Sequence, residues 1–136
     1  MTDSVFRVLP SLEEESAFFW TSGQDGKLRL LQCASCAYLI HPPAPVCPRC
    51  YGRETTPTVV SGRGVVHSFT VNHQPWDGVG DRYVIALVAL DEQPDVRLTT
   101  NLVGIEPDDV RIGQAVEVVF EDHDPVFVPL FRPVQP

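Results

Sequence analysis

Short apolar segments recur through the second half of the chain and carry its clearest structural signal. In residues 115–120, apolar and acidic positions alternate, which is typical of a half-buried β-strand. Residues 83–90 form a nearly continuous apolar run and predict a central strand that is buried on both faces. Three further segments of similar length lie at residues 65–71, 96–103 and 126–131.

The order of these segments predicts a barrel. Between the segments at residues 96–103 and 115–120, residues 106–113 predict a short helical turn that ends at a glycine. Five short strands with one small helical insertion indicate a five-stranded, OB-fold-like Greek-key barrel, and a generic small β-sandwich is the alternative. The loops at residues 74–82 and 122–125 would flank the usual binding face of such a barrel. Trp76 in the first loop is then either a contact residue or a cap on the barrel end.

A short helix is predicted before the first strand. Ser11 and Glu14 match a capping box, in which the Ser11 hydroxyl accepts a hydrogen bond from the Glu14 amide while the Glu14 carboxylate reaches back. We expect the helix to end near Ser22, with Gly23 as its stop.

Three consecutive aromatic residues, Phe18, Phe19 and Trp20, lie in this predicted helix. Because successive helical residues point in different directions, the three side chains cannot all face one core. Two interpretations stay open. The helix folds onto the following segment and covers it, or part of it docks on another protein, since exposed aromatic side chains tend to anchor interfaces.

All four cysteines lie in two Cys-x-x-Cys pairs with ten residues between them, namely Cys33, Cys36, Cys47 and Cys50. Two thiolates separated by two residues on a tight turn bind a metal ion from one side, and a second pair completes the tetrahedron that Zn²⁺ prefers. The proline-rich loop between the pairs is short and stiff but still allows them to face each other. The spacing therefore predicts a structural Zn²⁺ ribbon with no open coordination position.

Other uses of the cysteines remain as alternatives. Iron in a rubredoxin-type site is one, because the number of ligands alone does not choose between the metals. Two disulfides are disfavoured in a reducing compartment, and a redox-active pair would need a βαβ pattern, which the sequence does not show. His41, in the connecting loop, is a possible substitute ligand, although four thiolates already complete a site.

These segments divide a mainly β chain into three parts. We expect an N-terminal arm and helix at residues 1–26, a small rubredoxin-like zinc ribbon at residues 27–54 and the OB-fold barrel at residues 55–136. Thirteen prolines and nine glycines favour short strands joined by turns over long helices. A ribbon of this size has little core of its own, so the metal is expected to supply much of its folding energy.

The net charge of −8 argues against one class of function. Residues 1–60 carry six acidic and five basic residues, whereas residues 61–136 carry twelve and five. Nucleic-acid binders gain much of their affinity by neutralising phosphates, so the acidic second half makes a single-stranded nucleic-acid binder the weaker hypothesis. No signal peptide and no membrane-length apolar run is evident, which favours a cytoplasmic location.

A set of residues spread in order along nearly the whole chain carries a family resemblance. It comprises residues 18–20, 27–36, 41–43, 46–50, 61–71, 112–118 and 131–133. In these segments the chain resembles the DUF35 family, whose members combine a rubredoxin-like zinc ribbon with an OB fold and are associated with acyl-CoA. One departure is Ala37, since the family usually has glycine after the second cysteine.

The resemblance implies an accessory subunit rather than a stand-alone enzyme. Members associate with thiolase-fold enzymes, including lipid-transfer-protein-type aldolases of steroid side-chain breakdown and acetyl transferases. They also occur beside, or fused to, MaoC-type enoyl-CoA hydratases. The implied role is to complete the partner's active site or to help bind the CoA thioester, so we expect a non-catalytic partner of a retro-aldolase or acyltransferase acting on lipid- or steroid-derived CoA esters.

No catalytic residue is predicted, because the sequence has no nucleophile elbow, P-loop, dinucleotide fingerprint or HExxH motif. The expected partner contacts are Phe18, Phe19, Trp20, Trp76, Phe131 and Arg132. A direct acyl-CoA binding protein is an alternative hypothesis. Phosphates of CoA would need several basic side chains together, and the candidates are Lys27, Arg29, Arg49 and Arg53.

Overall fold

The strand that leads into the first cysteine pair is the centre of a small antiparallel sheet. The computed structural model describes residues 7–74 and 81–135. In it, β1 (Leu28–Cys33) lies between the short β2 (Leu39–Ile40) and β3 (Thr55–Val60). This three-stranded sheet is the ribbon, and its central strand ends at the first of the four cysteines.

Five longer strands close into a barrel with the order β4-β5-β6-β8-β7. Their bounds are β4 (Arg63–Asn72), β5 (Tyr83–Leu90), β6 (Gln93–Leu102), β7 (Ala115–His123) and β8 (Val126–Pro133). β6 and β8 pair in parallel, every other pairing is antiparallel, and β4 against β7 closes the circle. This is the OB-type Greek-key order, so the fold class predicted from the apolar pattern is confirmed.

The predicted barrel segments agree with these strands to within a few residues. β5 has the predicted bounds, and none of its residues is exposed, as the continuous apolar run indicates. The predicted helical turn is a short 3₁₀ segment, Pro107–Asp109, between β6 and β7. Trp76 and the rest of its loop at residues 75–80 lie outside the described residues.

The predicted helix at residues 11–22 needs correction. The α-helix, α1, spans only Ala17–Thr21 and continues as a 3₁₀ segment, Ser22–Asp25. Its N-cap residue is Ser16, without a side-chain capping hydrogen bond, so the predicted capping box at Ser11 is wrong. The three consecutive glutamates that follow Leu12 are exposed and have like charges, so this segment lacks the packing that would stabilise a helix. The aromatic residues that follow pack against the core, and the helix forms there.

Gly23 is likewise not the helix stop. It is buried in the 3₁₀ segment, where an added Cβ would lie 2.4 Å from Phe120 Cδ1 and 2.8 Å from Phe127 Cβ. The chain turns instead at Gly26, which has the left-handed conformation with φ +78°. The glycine that the local sequence marks as a stop is therefore needed for close packing of this segment on the barrel.

β3 is the strand that the apolar pattern does not predict. All six of its residues pair with β1, from Leu28 opposite Val60 to Cys33 opposite Thr55. Its central Pro57 and its threonines give no apolar alternation, and proline is tolerated because β3 is an edge strand. The ribbon sheet thus continues to Val60, beyond the boundary that the sequence suggests after residue 54.

Ribbon, helix and barrel share one hydrophobic core. The ribbon and α1 contribute Phe19, Leu28, Leu30, Leu39 and Val60, which pack in the same cluster as Val66, Val88, Leu98, Val116 and Phe131 of the barrel. Fully burying an aliphatic or aromatic side chain of this size contributes roughly 1.5–3 kcal/mol. The ribbon and barrel therefore stabilise each other through a common interior.

Among the described residues, the longest helical segments are too short to span a membrane.

Candidate metal centre and docking surfaces

The four cysteine side chains converge at one end of the ribbon. Their sulfur atoms all lie within 4.8 Å of one another. Cys33 Sγ is 3.5 Å from Cys50 Sγ, and Cys36 Sγ is 3.7 Å from Cys47 Sγ. A tetrahedral Zn²⁺ with Zn–S bonds of about 2.3 Å requires sulfur–sulfur separations of about 3.8 Å. The four cysteines therefore form a closed tetrathiolate site that fits structural Zn²⁺.

The geometry of the four cysteines also tests two alternatives, namely disulfide bonds and His41 as a substitute ligand. All four cysteines are free, and separations of 3.5 and 3.7 Å are well beyond the roughly 2.05 Å of a disulfide bond. His41 is not part of the metal-ligating group among the described residues, so the substitute-ligand hypothesis is not needed.

The first knuckle, residues 33–38, is a tight turn stabilised by two backbone hydrogen bonds. The Cys33 N–H donates to Tyr38 O and the Ala37 N–H donates to Cys33 O, both at 2.9 Å. This turn requires a positive φ at Ala37, which is +66°. A residue with a Cβ is destabilised by roughly 1–2 kcal/mol in that conformation, whereas glycine adopts it without strain.

The second knuckle, residues 47–52, repeats this geometry. The Cys47 N–H donates to Gly52 O and the Tyr51 N–H donates to Cys47 O, again at 2.9 Å. Tyr51 takes the place of Ala37 and has φ +65°. Both knuckles therefore place a non-glycine residue in the left-handed region directly after their second cysteine.

Backbone amides favour the thiolate form that a metal requires. Hydrogen bonding from the backbone N–H of Cys36 is the largest cause that lowers the pKa of the Cys33 thiol to about 6. The Arg49 N–H donates to Cys47 Sγ at 3.4 Å in the other knuckle. Such amide–sulfur bonds orient the ligands as well as stabilising their negative charge.

Gly52 is a residue of the metal site that the sequence analysis does not identify. An added Cβ would lie 3.3 Å from Cys50 Sγ, 3.4 Å from Ser35 Oγ and 3.5 Å from Cys33 Sγ. A side chain at this position would therefore crowd the Cys50 ligand and contact the Cys33 ligand. The signal in the sequence is weak, because it is only a glycine two positions after the last cysteine.

A cleft of about 480 Å³ lies between the helix, the proline-rich loop and the barrel. Its walls include Phe19, Trp20 and His41 on one side and β5, β6 and β8 on the other. The His41 ring packs on Phe19 with 4.8 Å between the ring centroids, and its buried Nδ1 has no hydrogen-bond partner among the described residues. Burial lowers the pKa of His41 to about 4, so this histidine is neutral at physiological pH.

The predicted partner contacts need correction at two positions. Phe19 is 5% exposed and Phe131 is fully buried, so both side chains belong to the core and offer no surface to a partner. Phe18 and Trp20 are half-buried and pack against that core, which leaves part of each side chain accessible. Arg132 is exposed and donates to Glu117 at 3.1 Å.

The four predicted CoA-binding bases do not form one cluster. Lys27 and Arg29 lie at the start of β1, and Arg29 is paired with Asp25 at 2.8 Å. Arg49 and Arg53 lie at the opposite end of this strand, beside the cysteines. Six residues of β-strand span roughly 17–20 Å, so the structure separates the bases into two pairs.

Comparison with protein families identifies both parts of the chain. The family model of the rubredoxin-like zinc ribbon domain of ChsH2 matches residues 20–56. The model of the C-terminal OB-fold domain of ChsH2 matches residues 58–121.

Curated relatives fall into two groups. The chain is 38% identical over 132 residues to a probable enoyl-CoA hydratase alpha subunit of Thermomonospora curvata, covering 96% of this chain and 41% of that protein. It is 38% identical to the 3-oxo-4,17-pregnadiene-20-carboxyl-CoA hydratase alpha subunit of Mycobacterium tuberculosis, covering 83% and 36%. The chain thus spans about two fifths of the length of these two relatives. A DUF35 domain-containing scaffold protein of Methanothermobacter thermautotrophicus is 35% identical, with 65% of this chain and 68% of that protein covered.

One solved structure matches almost from end to end. It is described as the Ltp2–ChsH2(DUF35) aldolase, and the matched chain superposes with a TM-score of 0.81 at 37% identity. The match covers 92% of this chain and 98% of the other.

Proposed function

The chain belongs to the DUF35 family of ChsH2-type zinc-ribbon and OB-fold proteins, and on that premise we propose that it is a non-catalytic accessory subunit of a thiolase-fold acyl-CoA enzyme. The observation that carries this proposal is the match to the ChsH2(DUF35) aldolase structure, which includes the ribbon and the barrel together. The scaffold role in the name of an archaeal relative supports the same assignment.

The geometry suits a rigid docking module. The tetrathiolate centre is closed, so the metal has no position left for a substrate. Ribbon and barrel share one core, which holds their surfaces in a constant relative orientation. In the proposed complex, this chain supports the stability, the active site or the CoA-thioester binding of its partner, while the partner carries out the retro-aldol or acyl-transfer step.

The proposed contacts with this partner include Phe18, Trp20 and Arg132, whose side chains are at least partly exposed. Trp76 also remains a predicted contact, although it lies outside the described residues. The proposed acyl substrate is a lipid- or steroid-derived CoA ester, a class supported by the pregnadiene-carboxyl-CoA named for the mycobacterial relative.

Co-expression with the Ltp2 subunit of the solved aldolase tests this function. We expect the two chains to elute together in size-exclusion chromatography with light scattering, and the retro-aldol activity of Ltp2 to rise in the complex. Separate elution together with unchanged Ltp2 activity would contradict the proposal. Trp76→Ala is a useful companion variant, since it is expected to weaken the complex without changing the zinc content.

Association with a MaoC-like enoyl-CoA hydratase is a second candidate function. It is favoured by the two hydratase alpha subunits, each of which contains a region similar to this chain. The same co-expression experiment with a MaoC-like hydratase in place of Ltp2 separates the two candidates. Direct binding of acyl-CoA by this chain alone is a third possibility, and calorimetry of the isolated chain with CoA tests it.

A further inference from the structure

The ribbon has few of the acidic residues of this chain. Residues 27–60 contain four basic residues and one acidic residue, Glu54, while the rest of the chain contains six basic and seventeen acidic residues. A tetrathiolate Zn²⁺ centre adds two formal negative charges, so the ribbon stays positive and the remainder strongly negative. The ribbon is therefore the part of the surface to which an acidic partner is attracted.

Tyr51 is the most unusual residue of this surface. It is 76% exposed, so its ring contributes little to the core. It also has φ +65°, a conformation that is unfavourable for a bulky residue. Glycine would avoid both the strain and the exposed aromatic ring. Residues that retain backbone strain without a packing benefit are concentrated at functional sites.

Two exposed arginines, Arg49 and Arg53, lie two positions before and two positions after Tyr51 in the sequence. In the described part of the chain, neither Arg49 nor Arg53 forms an ion pair. The Arg49 guanidinium lies 5.6 Å from the centroid of the Tyr38 ring, and Tyr38 in turn donates to Asp95 at 3.0 Å. This stacking favours one direction of the exposed Arg49 side chain and leaves its charge available.

We propose that the second knuckle is a docking surface, with Tyr51 as its anchor and Arg49 and Arg53 beside it. Its occupant is a carboxylate-bearing face of the thiolase-fold partner that receives the Tyr51 ring in an apolar socket. Tyrosine and arginine are, together with tryptophan, enriched among the residues that contribute most of the binding energy at interfaces. The metal holds the turn rigid, which reduces the entropy lost on binding. This inference rests on the proposed function, and it names the surface through which that function operates.

Tyr51→Gly separates docking from folding. The variant removes the ring and also relieves the positive-φ strain, so thermal stability and zinc content should be unchanged or higher. Binding to the Ltp2 subunit, measured by surface plasmon resonance, should weaken by about 30-fold or more, as for other anchoring residues. Ala37→Gly is the matched control, because it makes the same backbone change in the first knuckle, and it should leave binding unchanged.

The outcomes distinguish this surface from the proposed function. If wild-type protein binds Ltp2 and Tyr51→Gly binds within about twofold of it, the complex stands and the docking surface is overturned. Equal losses of binding in Tyr51→Gly and Ala37→Gly would also overturn it, because the knuckle backbone rather than the ring would then be responsible. If the wild-type chain does not bind Ltp2, both the function and the surface are overturned.

The charge of the partner face has its own test. Arg49→Glu and Arg53→Glu should each slow association with Ltp2, and this effect should shrink as the ionic strength rises. An effect that is independent of salt, or a faster association, would rule out an acidic partner face.

Discussion

The side-chain amide of Gln93 is hydrogen-bonded in both directions to the backbone of Leu39. Its Oε1 accepts from the Leu39 N–H at 2.8 Å, and its Nε2 donates to Leu39 O at 2.9 Å. Gln93 is the first residue of β6 in the barrel, and Leu39 is the first residue of β2 in the ribbon. One side chain therefore extends the hydrogen bonding of the ribbon sheet to the barrel.

Gln93→Ala should loosen the joint between ribbon and barrel. The variant leaves the N–H and C=O of Leu39, a residue that is 5% exposed, without their partners. We expect a loss of about 1–3 kcal/mol in the free energy of unfolding, measured in urea with zinc-loaded protein. Gln24→Ala is the control, since Gln24 is exposed and has no side-chain hydrogen bond among the described residues. Equal effects of the two substitutions would argue against a stabilising role for the hydrogen bonds between Gln93 and Leu39.

Loss of one metal ligand should affect the whole chain and not only the ribbon. Cys47→Ser removes a buried thiolate from the tetrahedron, so the ribbon is expected to unfold. Because ribbon residues pack in the same core as the barrel, the barrel then loses part of its packing. We expect loss of bound zinc, measured by elemental analysis, together with a lower Tm for barrel unfolding. Ser35→Ala, between two ligands but not itself a ligand, should retain full zinc content. A barrel that melts at the wild-type temperature in Cys47→Ser would contradict the shared core.

Ala37→Gly should stabilise the protein. Glycine adopts the observed φ of +66° without strain, and we expect a gain of up to about 1 kcal/mol after the larger entropy of the unfolded chain is included. Ala34→Gly, in the same knuckle but without a positive φ, should instead lose roughly 0.4–1 kcal/mol. Chemical denaturation of the zinc-loaded variants measures the change in the free energy of unfolding, which should increase in Ala37→Gly and decrease in Ala34→Gly. A loss in Ala37→Gly would show that the knuckle does not strain its alanine.

His41 should make the protein less stable in mild acid. Burial lowers its pKa in the folded state to about 4 from the ordinary value of 6.5, so the unfolded chain binds the proton more readily. The contribution is complete above about pH 6.5 and is lost as the pH falls toward 4, by roughly 3 kcal/mol in total. His41→Leu should remove this part of the pH dependence. Denaturation of both proteins between pH 8 and about 5.5 measures the difference before acid competes for the thiolates, and parallel curves would contradict the assignment.

Much of the fold is encoded locally. The continuous apolar run of β5 and the alternation in β7 predict these strands because a strand places successive side chains on opposite faces. β3 has no such pattern, since Pro57 and the threonines around it are exposed or half-buried on an edge, and it becomes a strand only by pairing with β1. The capping signal at Ser11 fails for the opposite reason, because a favourable cap does not compensate for the absence of packing.

The metal centre can be predicted from the local sequence, whereas the docking surfaces depend on tertiary packing. The cysteine spacing by itself determined the zinc site, because two tight turns with two thiolates each have few other stable uses. Which aromatic residues are available to a partner was decided by the tertiary structure, which buries Phe19 and Phe131 and leaves Tyr51 exposed. Burial depends on which elements pack together in space. That relationship is not contained in the neighbours of a residue along the chain.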